Sequence, residues 1–128
     1  MAISGPCKML YLFGILKNLM KVSYDDGDLE ALCGQARIAT KKLGDPSARK
    51  LQRRISELHA ARVVGELVAG RPHPLKGDRV GEFTIDLHGG HRLIFRPTME
   101  APALKPDGSI DWAAVNEVTV VWVGDYHD

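Results

Sequence analysis

A pair of consecutive glycines, Gly89-Gly90, separates two segments of mixed apolar and polar residues in the 128-residue chain. Residues 82–88 precede the pair and residues 91–96 follow it, and two glycines between such segments are a strong signal for a two-residue hairpin turn. A hairpin with this turn pairs Leu87 with Arg92. Because the alternation of apolar and polar residues is imperfect, we predict that the hairpin belongs to a sheet partly covered on both faces.

The remaining apolar patterns predict a small α+β domain. Residues 21–24 are a short strand candidate, and apolar residues at helical spacing within 29–43 and 51–58 predict two antiparallel helices. The first is expected to stop at Gly44, and the second to begin with Asp45-Pro46, proline taking the first helical position, and to end near Gly65 or Gly70. Residues 118–123 form a continuous apolar strand of the kind that is buried on both sides. The order of these elements predicts a small antiparallel sheet with the N-terminal helix pair packed on one face.

Two segments fall outside this pattern. We interpret residues 1–19 as an N-terminal extension outside the fold, with Met20 as an alternative initiator, because the apolar run 9–16 is too short to span a bilayer and no signal-peptidase site follows it. A signal sequence is the alternative. Residues 97–116 are rich in turn-forming residues, and we predict that they form an irregular insertion within a domain of residues 20–128.

The overall charge gives no sign of a nucleic-acid-binding protein. Lysine and arginine number 17 against 16 acidic residues, which gives a formal net charge of only +1. Hydrophobic residues make up 45% of the chain, which excludes a disordered protein. Cys7 and Cys33 are too few for a disulfide framework, and this favours a reducing environment and a cytoplasmic localisation.

The positive charges are nevertheless unevenly distributed. Residues 37–62 contain eight lysines and arginines against two acidic residues, so the polar side of the helix pair is basic. Such a surface is usually a solvated helix face, but cations in this arrangement can also bind nucleic-acid phosphates without reading bases. Both interpretations remain open from the sequence, and Arg53 and Arg54 are the candidates for contact with RNA.

A second group of polar side chains is spread over segments that strand pairing can bring together. Cleavage of an RNA phosphodiester needs a group that accepts the 2′-hydroxyl proton, one that protonates the leaving oxygen, and cations on the phosphate. Histidine, tyrosine, lysine and arginine supply these roles without a metal ion, although each such residue singly also has a structural explanation. The candidates are His73 and Lys76 before the hairpin, Arg79, Arg92 and Arg96 in or near it, and Asp125, Tyr126 and His127 at the C-terminus.

Metal and cofactor chemistry are not indicated. The chain has five histidines, and the hairpin could bring His88 and His91 opposite each other, but no third ligand has a recognisable spacing to them. The sequence contains no glycine-rich phosphate loop, nucleophile elbow or CxxC pair. We therefore expect neither a metal nor a cofactor, and we interpret Cys33 as a thiol in the apolar core.

Several sequence segments resemble the HigB-like branch of the RelE/ParE toxin superfamily. The resemblance covers about residues 20–128, whereas residues 1–19 have no counterpart and the insertion lengthens the chain. The pieces are individually weak, but their order and spacing are fairly specific. They are His73-Pro74-Leu75-Lys76-Gly77-Asp78-Arg79, Gly81-Glu82-Phe83-Thr84-Ile85-Asp86-Leu87, His91-Arg92-Leu93-Ile94-Phe95 and Gly124-Asp125-Tyr126-His127.

The resemblance implies a RelE-like, microbial-RNase-like α+β fold and the toxin of a type II toxin–antitoxin pair. The implied activity is ribosome-dependent cleavage of mRNA by metal-independent attack of the 2′-hydroxyl on the phosphodiester. The implied partners are mRNA, the ribosome and a helix-turn-helix antitoxin of the HigA-like kind, with no membrane and no cofactor.

The resemblance also assigns roles to the matching positions. Lys76 and Arg92 are expected at the scissile phosphate, and His127 or His73 is expected to transfer protons. The other expected roles are base stacking or orientation for Tyr126, positioning of a histidine for Asp125, and RNA contacts for Arg79 and Arg96.

Two other functions remain open. The first is a non-enzymatic inhibitor of DNA gyrase of the ParE kind, which keeps the scaffold without needing the C-terminal Asp-Tyr-His triplet. The second is a degenerate regulatory or interaction domain of a toxin–antitoxin operon. Cleaved mRNA after induction separates the nuclease from the first, and a harmless wild-type protein would favour the second.

Overall fold

The computed structural model describes residues 19–126. Its strands are β1 (Lys21–Tyr24), β2 (His73–Pro74), β3 (Phe83–Asp86), β4 (His91–Pro97) and β5 (Glu117–Asp125). Its α-helices are α1 (Gly27–Gly34), α2 (Ala36–Leu43) and α3 (Asp45–Ala60), all between β1 and β2. The expectations for residues 1–18 and for His127 lie outside the described residues.

Within residues 19–126, the helical region consists of three α-helices rather than the predicted two. The predicted first helix is interrupted at Gln35, whose extended backbone (φ −125°, ψ 112°) separates α1 from α2. Gly34 lies directly before the break, and its low helix propensity favours a helix end there. α3 carries Pro46 in its first turn, as predicted, but it ends at Ala60, earlier than the glycines at which we expected it to stop.

The five described strands form one sheet in the order β1-β5-β4-β3-β2. Neighbouring strands are antiparallel from β2 to β5, as predicted. β1 differs, because it pairs in parallel with β5, with Val22 opposite Val118. The three helices that follow β1 provide the long connection that a parallel arrangement requires. The α+β fold class is confirmed, and the sheet is mixed rather than wholly antiparallel.

The hairpin of β3 and β4 differs from the predicted register by one residue. Asp86, not Leu87, lies opposite Arg92. The N–H of Leu87 donates a hydrogen bond to the carbonyl of His91 at 2.9 Å, so the loop has three residues instead of two. Gly89 occupies a left-handed conformation in this loop, with φ +65°, which glycine adopts without steric cost. The change in register puts a carboxylate directly opposite an arginine.

The core lies between the helices and one face of the sheet. Leu51 and Leu58 of α3 are fully buried, as are Leu93 and Phe95 of β4 and Val120 of β5. Because side chains alternate along a strand, the residues between these on β4 project from the opposite face. We call the face of the sheet opposite the helices the outer face.

The segment between β4 and β5 also contributes to the core. It contains an isolated bridge between Leu104 and Ile110 and a 3-10 turn at Trp112–Ala114. The Trp112 ring lies 4.8 Å from that of Phe83 and 6.4 Å from that of Phe95, measured between centroids. The irregular segment is therefore anchored to the core by an aromatic cluster.

Candidate active site

A bulge in β5 determines which side chains reach the outer face. Ile94 pairs with Trp122 whereas Phe95 pairs with Val120, so Val121 is an extra residue in the ladder. The bulge keeps Val120 and Val123 on the core side and directs Trp122 to the outer face. One row of directly paired residues then crosses four strands on the outer face. It runs from His73 through Thr84 and Ile94 to Trp122.

Arg92 lies on this face and is paired with the carboxylate of Asp86. Its Nε is 3.0 Å from Oδ1 of Asp86, and the Arg92 side chain is only 13% exposed. The second oxygen, Oδ2, accepts a hydrogen bond from Nε of Arg71 at 2.9 Å. The carboxylate of Asp86 therefore binds two guanidinium groups, and these charge-assisted contacts hold both groups in a fixed orientation.

The structure brings His73 to the same face through a strand that the sequence did not predict. The segment before the hairpin contains β2, and the pairing of His73 with Thr84 orients the histidine. Nδ1 of His73 donates a hydrogen bond to the carbonyl of Arg71 at 2.7 Å. The neutral ring therefore carries its proton on Nδ1 and its lone pair on Nε2, the tautomer in which Nε2 can accept a proton.

Arg71 combines both contacts in an unusual backbone conformation. Its φ of +52° is positive, and among residues 19–126 it is the only such residue other than glycine. Its side chain binds Asp86 and its carbonyl binds His73. Non-glycine residues in this region carry a conformational cost and often cluster at functional sites. Sequence reasoning missed both Arg71 and Asp86, because their contacts depend on strand register.

Arg79 reaches the end of β5 from the turn after β2. Its Cζ lies 5.2 Å from the ring centroid of Tyr126 and 5.8 Å from that of Trp122, within the range of cation–π contacts. Glu82 pairs with the Arg79 guanidinium at 2.5 Å. The structure therefore joins Arg79 and Tyr126, which were predicted separately, and it adds Trp122. Lys76 is exposed just before the 3-10 turn at Gly77–Arg79.

Asp125 lies beside a histidine, but on the core side of the sheet. Its Oδ1 is 3.8 Å from Nε2 of His91, and Oγ of Ser47 is 2.6 Å from Nδ1 of the same ring. Ser47 also donates a hydrogen bond to the carbonyl of His88 at 3.1 Å. Ser47 is only 1% exposed, so this serine cannot attack a substrate. The cluster instead connects α3 to both ends of the β3–β4 loop and to β5.

The remaining predicted RNA-binding arginines lie in three different environments. Arg96 is on the outer face, where its Nη1 donates to the carbonyl of Pro97 at 3.2 Å. Arg53 is exposed on α3. Arg54 is buried, with its side chain 7% exposed and its Nη1 2.6 Å from Oε1 of Glu57. Burial in this pair argues against the predicted contact of Arg54 with RNA.

The exposed cations of the helices form a separate surface. We call this the basic helix surface, and it consists of Arg37, Lys41, Lys42, Arg49, Lys50 and Arg53. α3 packs on the core side of the sheet, so this surface lies on the opposite side of the molecule from His73 and Arg92. The clustering of charge that the sequence shows therefore does not coincide with the outer-face residues.

Residues 19–126 contain neither a metal-binding cluster nor a membrane-spanning helix. No group of three or more histidine, cysteine, aspartate or glutamate side chains in this range has the geometry to hold a metal ion. No described helix has both the length and the apolar character needed to cross a bilayer.

The architecture is that of the YoeB/ParE toxins. The chain is similar to a YoeB/ParE toxin from Agrobacterium tumefaciens, with a TM-score of 0.52 and 15% identity over 84% of this chain and 100% of that chain. It is also similar to a YoeB dimer from Staphylococcus aureus, with a TM-score of 0.49 and 13% identity over 85% of this chain and 98% of that chain. No protein-family model and no curated protein matches the sequence. At these sequence identities, the structural similarity establishes that the chain shares this fold.

Proposed function

We propose that the protein is the toxin of a type II toxin–antitoxin pair and an endoribonuclease that cleaves mRNA on the ribosome. The fold shared with a YoeB/ParE toxin supports the toxin role, as does the resemblance of the sequence motifs to HigB-like toxins. The observation that carries the nuclease proposal is the arrangement on the outer face: His73 on β2 and Arg92 on β4 lie on either side of β3 and are linked through Arg71 and Asp86.

The proposed reaction needs no metal. A histidine removes the proton from the 2′-hydroxyl, and the 2′-oxygen forms a bond to phosphorus as the bond to the 5′-oxygen breaks. A second acid donates a proton to that leaving oxygen, so the products are a 2′,3′-cyclic phosphate and a 5′-hydroxyl. The tautomer of His73 makes its Nε2 a suitable base, and His127 is the candidate acid, although the two roles can be exchanged. Arg92 and Lys76 stabilise the negative charge that develops on the phosphate.

The remaining predicted residues would bind RNA around the reacting phosphate. Tyr126, held beside Arg79, would stack on or orient a base. Arg79 and Arg96 would contact the RNA from the outer face. Arg53 lies on the basic helix surface, away from the cleaved strand, so ribosomal RNA is the polyanion that it would meet. A HigA-like helix-turn-helix antitoxin is the proposed inhibitor.

Induced expression in a bacterial host tests this function. The wild-type protein is expected to arrest growth and to produce mRNA fragments with 5′-hydroxyl ends. His73→Ala and His127→Ala should each relieve the arrest, since loss of a general acid or base costs about 10²- to 10⁴-fold. Arg92→Ala should also relieve it, since it removes charge stabilisation at the phosphate. His59→Ala is the matched control, because His59 is exposed near the end of α3.

Three outcomes would contradict the proposal. Growth arrest without cleaved mRNA, together with inhibited DNA supercoiling, would identify a gyrase inhibitor instead. A harmless wild-type protein would identify a degenerate regulatory domain. Full toxicity of all three variants, with the fold verified by circular dichroism, would show that these residues do not perform the chemistry.

A further inference from the structure

Trp122 has an unusual position for a large aromatic residue in the middle strands of a sheet. It is 40% exposed, whereas its neighbour in the ladder, Ile94, is fully buried. β1 pairs with β5 only as far as Val120, so the edge of β5 beyond that residue has no strand beside it within the described chain. The β5 bulge at Val121 then directs the indole outward.

The surroundings of Trp122 leave room for a flat ligand. Trp122 lies at the rim of a groove of ≈ 510 Å³ along the open edge of β5, and Leu29, Leu32 and Val123 are among its apolar lining residues on the helix side. Gly124 lies beside the ring: a Cβ at this residue would be 3.5 Å from Cζ2 of the indole, so the glycine leaves that space open. Arg79 contacts the ring and is held by Glu82. The aromatic surface is therefore supported without being covered.

The charges around the groove favour a nucleobase over a phosphate group. The residues that line the groove include three aspartates, Asp26, Asp28 and Asp125, but a single lysine or arginine, Lys42. The groove would therefore repel a phosphate group. A nucleobase is uncharged, matches an apolar groove and stacks on tryptophan. The phosphate backbone would instead follow the cations of the outer face, which include Arg71, Arg79, Arg92 and Arg96.

We infer that Trp122 forms a binding subsite for one unpaired nucleobase of the RNA strand, next to the reacting phosphate. This inference rests on the proposed function and deepens it by identifying a base-binding residue that the sequence motifs do not contain. Trp122 lies in the same row as His73, three strands away, which corresponds to about 14 Å between backbones. The base on Trp122 is therefore a neighbour of the cleaved nucleotide and not the reacting one.

Fluorescence titration with short single-stranded oligoribonucleotides tests the subsite. RNA should quench the indole fluorescence of the wild-type protein. Trp122→Phe should bind with nearly unchanged affinity but lose the quenching, since the second tryptophan, Trp112, lies in the core aromatic cluster. Trp122→Ala should lose about tenfold in affinity, the usual effect of removing one stacked base.

Replacing the bases one at a time by abasic nucleotides identifies the contact. One abasic position should weaken binding to the wild-type protein about tenfold and have little effect on Trp122→Ala, because the partner is already missing. Equal losses in both proteins at every position, unchanged affinity of Trp122→Ala, or no quenching by any oligoribonucleotide would overturn the inference.

The two proposals fail in different experiments. If Trp122→Ala binds RNA as tightly as the wild-type protein while the wild-type protein still cleaves mRNA, only the subsite is refuted. If the abasic scan identifies the contact but induction produces no cleaved mRNA, the base-binding subsite stands and the nuclease proposal is refuted.

Discussion

Oδ1 of Asp86 lies 3.0 Å from Nε of Arg92, directly across the β3–β4 ladder. The same carboxylate binds Arg71, whose carbonyl in turn accepts a hydrogen bond from His73. A candidate base and a candidate phosphate ligand thus depend on one acidic residue. In the proposed reaction Asp86 would act through these groups, as a positioning residue rather than a catalytic one.

Asp86→Asn should lower both stability and activity. It removes the charge of Asp86 that faces the guanidinium of Arg92, in a side chain that is 13% exposed, and the free energy of unfolding should fall by about 1–3 kcal/mol. Misdirection of Arg92 should lower kcat about tenfold to a hundredfold, with a smaller change in KM. Urea denaturation and single-turnover cleavage measure the two effects.

Asp78→Asn is the control for Asp86→Asn, because it changes an exposed carboxylate in the neighbouring turn. Equal effects of the two substitutions would refute the role of Asp86.

Gly70→Ala should be strongly destabilising. Gly70 has φ +85°, and an added Cβ would lie 2.5 Å from Cγ2 of the buried Ile85 and 3.1 Å from the carbonyl oxygen of Asp86. Backbone strain and overpacking together should cost about 2–4 kcal/mol. Gly44 has the same φ but no atom within 4 Å of an added Cβ, so Gly44→Ala should show the strain alone, about 1–2 kcal/mol. Identical unfolding midpoints for the two variants would show that the close contact is relieved at no cost.

Ser47→Ala should destabilise the connection between α3 and the β3–β4 loop. It removes a buried hydroxyl that contacts Nδ1 of His91 and the carbonyl of His88, and the expected loss is about 1–3 kcal/mol. Ser56→Ala, at an exposed serine of the same helix, should change stability by no more than about 0.5 kcal/mol. The wild-type protein should also fail to react with a fluorophosphonate, and labelling of Ser47 would contradict its burial.

Local patterns in the sequence were sufficient for much of the fold. The apolar spacing that gave α3 its buried face, including Leu51 and Leu58, is repeated in the structure. The Gly89-Gly90 pair correctly marked the hairpin, but the register was wrong by one residue, because the number of loop residues depends on hydrogen bonds that the glycines do not specify. β2 was missed because two residues, one of them Pro74, are too short for any periodic signal.

Less of the candidate site than of the fold could be predicted from the sequence. His73, Arg79, Arg92 and Tyr126 were named from residue type and motif, and the structure brings them to one face through pairings between distant segments. Asp86 and Trp122 have no motif, because their roles follow from the hairpin register and from the β5 bulge. Charge alone also could not separate the exposed Arg53 from the buried Arg54, although the two are adjacent.

Stability should fall in alkaline solution because of two weak acids, the buried Cys33 and the partly buried Tyr24. Burial raises the pKa of the Cys33 thiol from its usual 9.0 to about 12. Burial, followed by the charges of Cys33 and Glu30, raises the pKa of Tyr24 from 10.0 to about 12. In both cases the unfolded chain loses its proton at lower pH than the folded protein does, so stability is fully present below pH 9 and is lost progressively as the pH rises to about 12.

Urea denaturation across this pH range measures the loss. Cys33→Ala should delay the decline until the unfolded tyrosine begins to ionise near pH 10, and Tyr24→Phe should leave only the part that begins near pH 9. In a Cys7→Ser background, Cys33 should react with iodoacetamide at pH 8 only after unfolding, because the folded thiol holds its proton. Rapid alkylation of the folded protein, or a decline that neither substitution changes, would show that Cys33 and Tyr24 do not control alkaline stability.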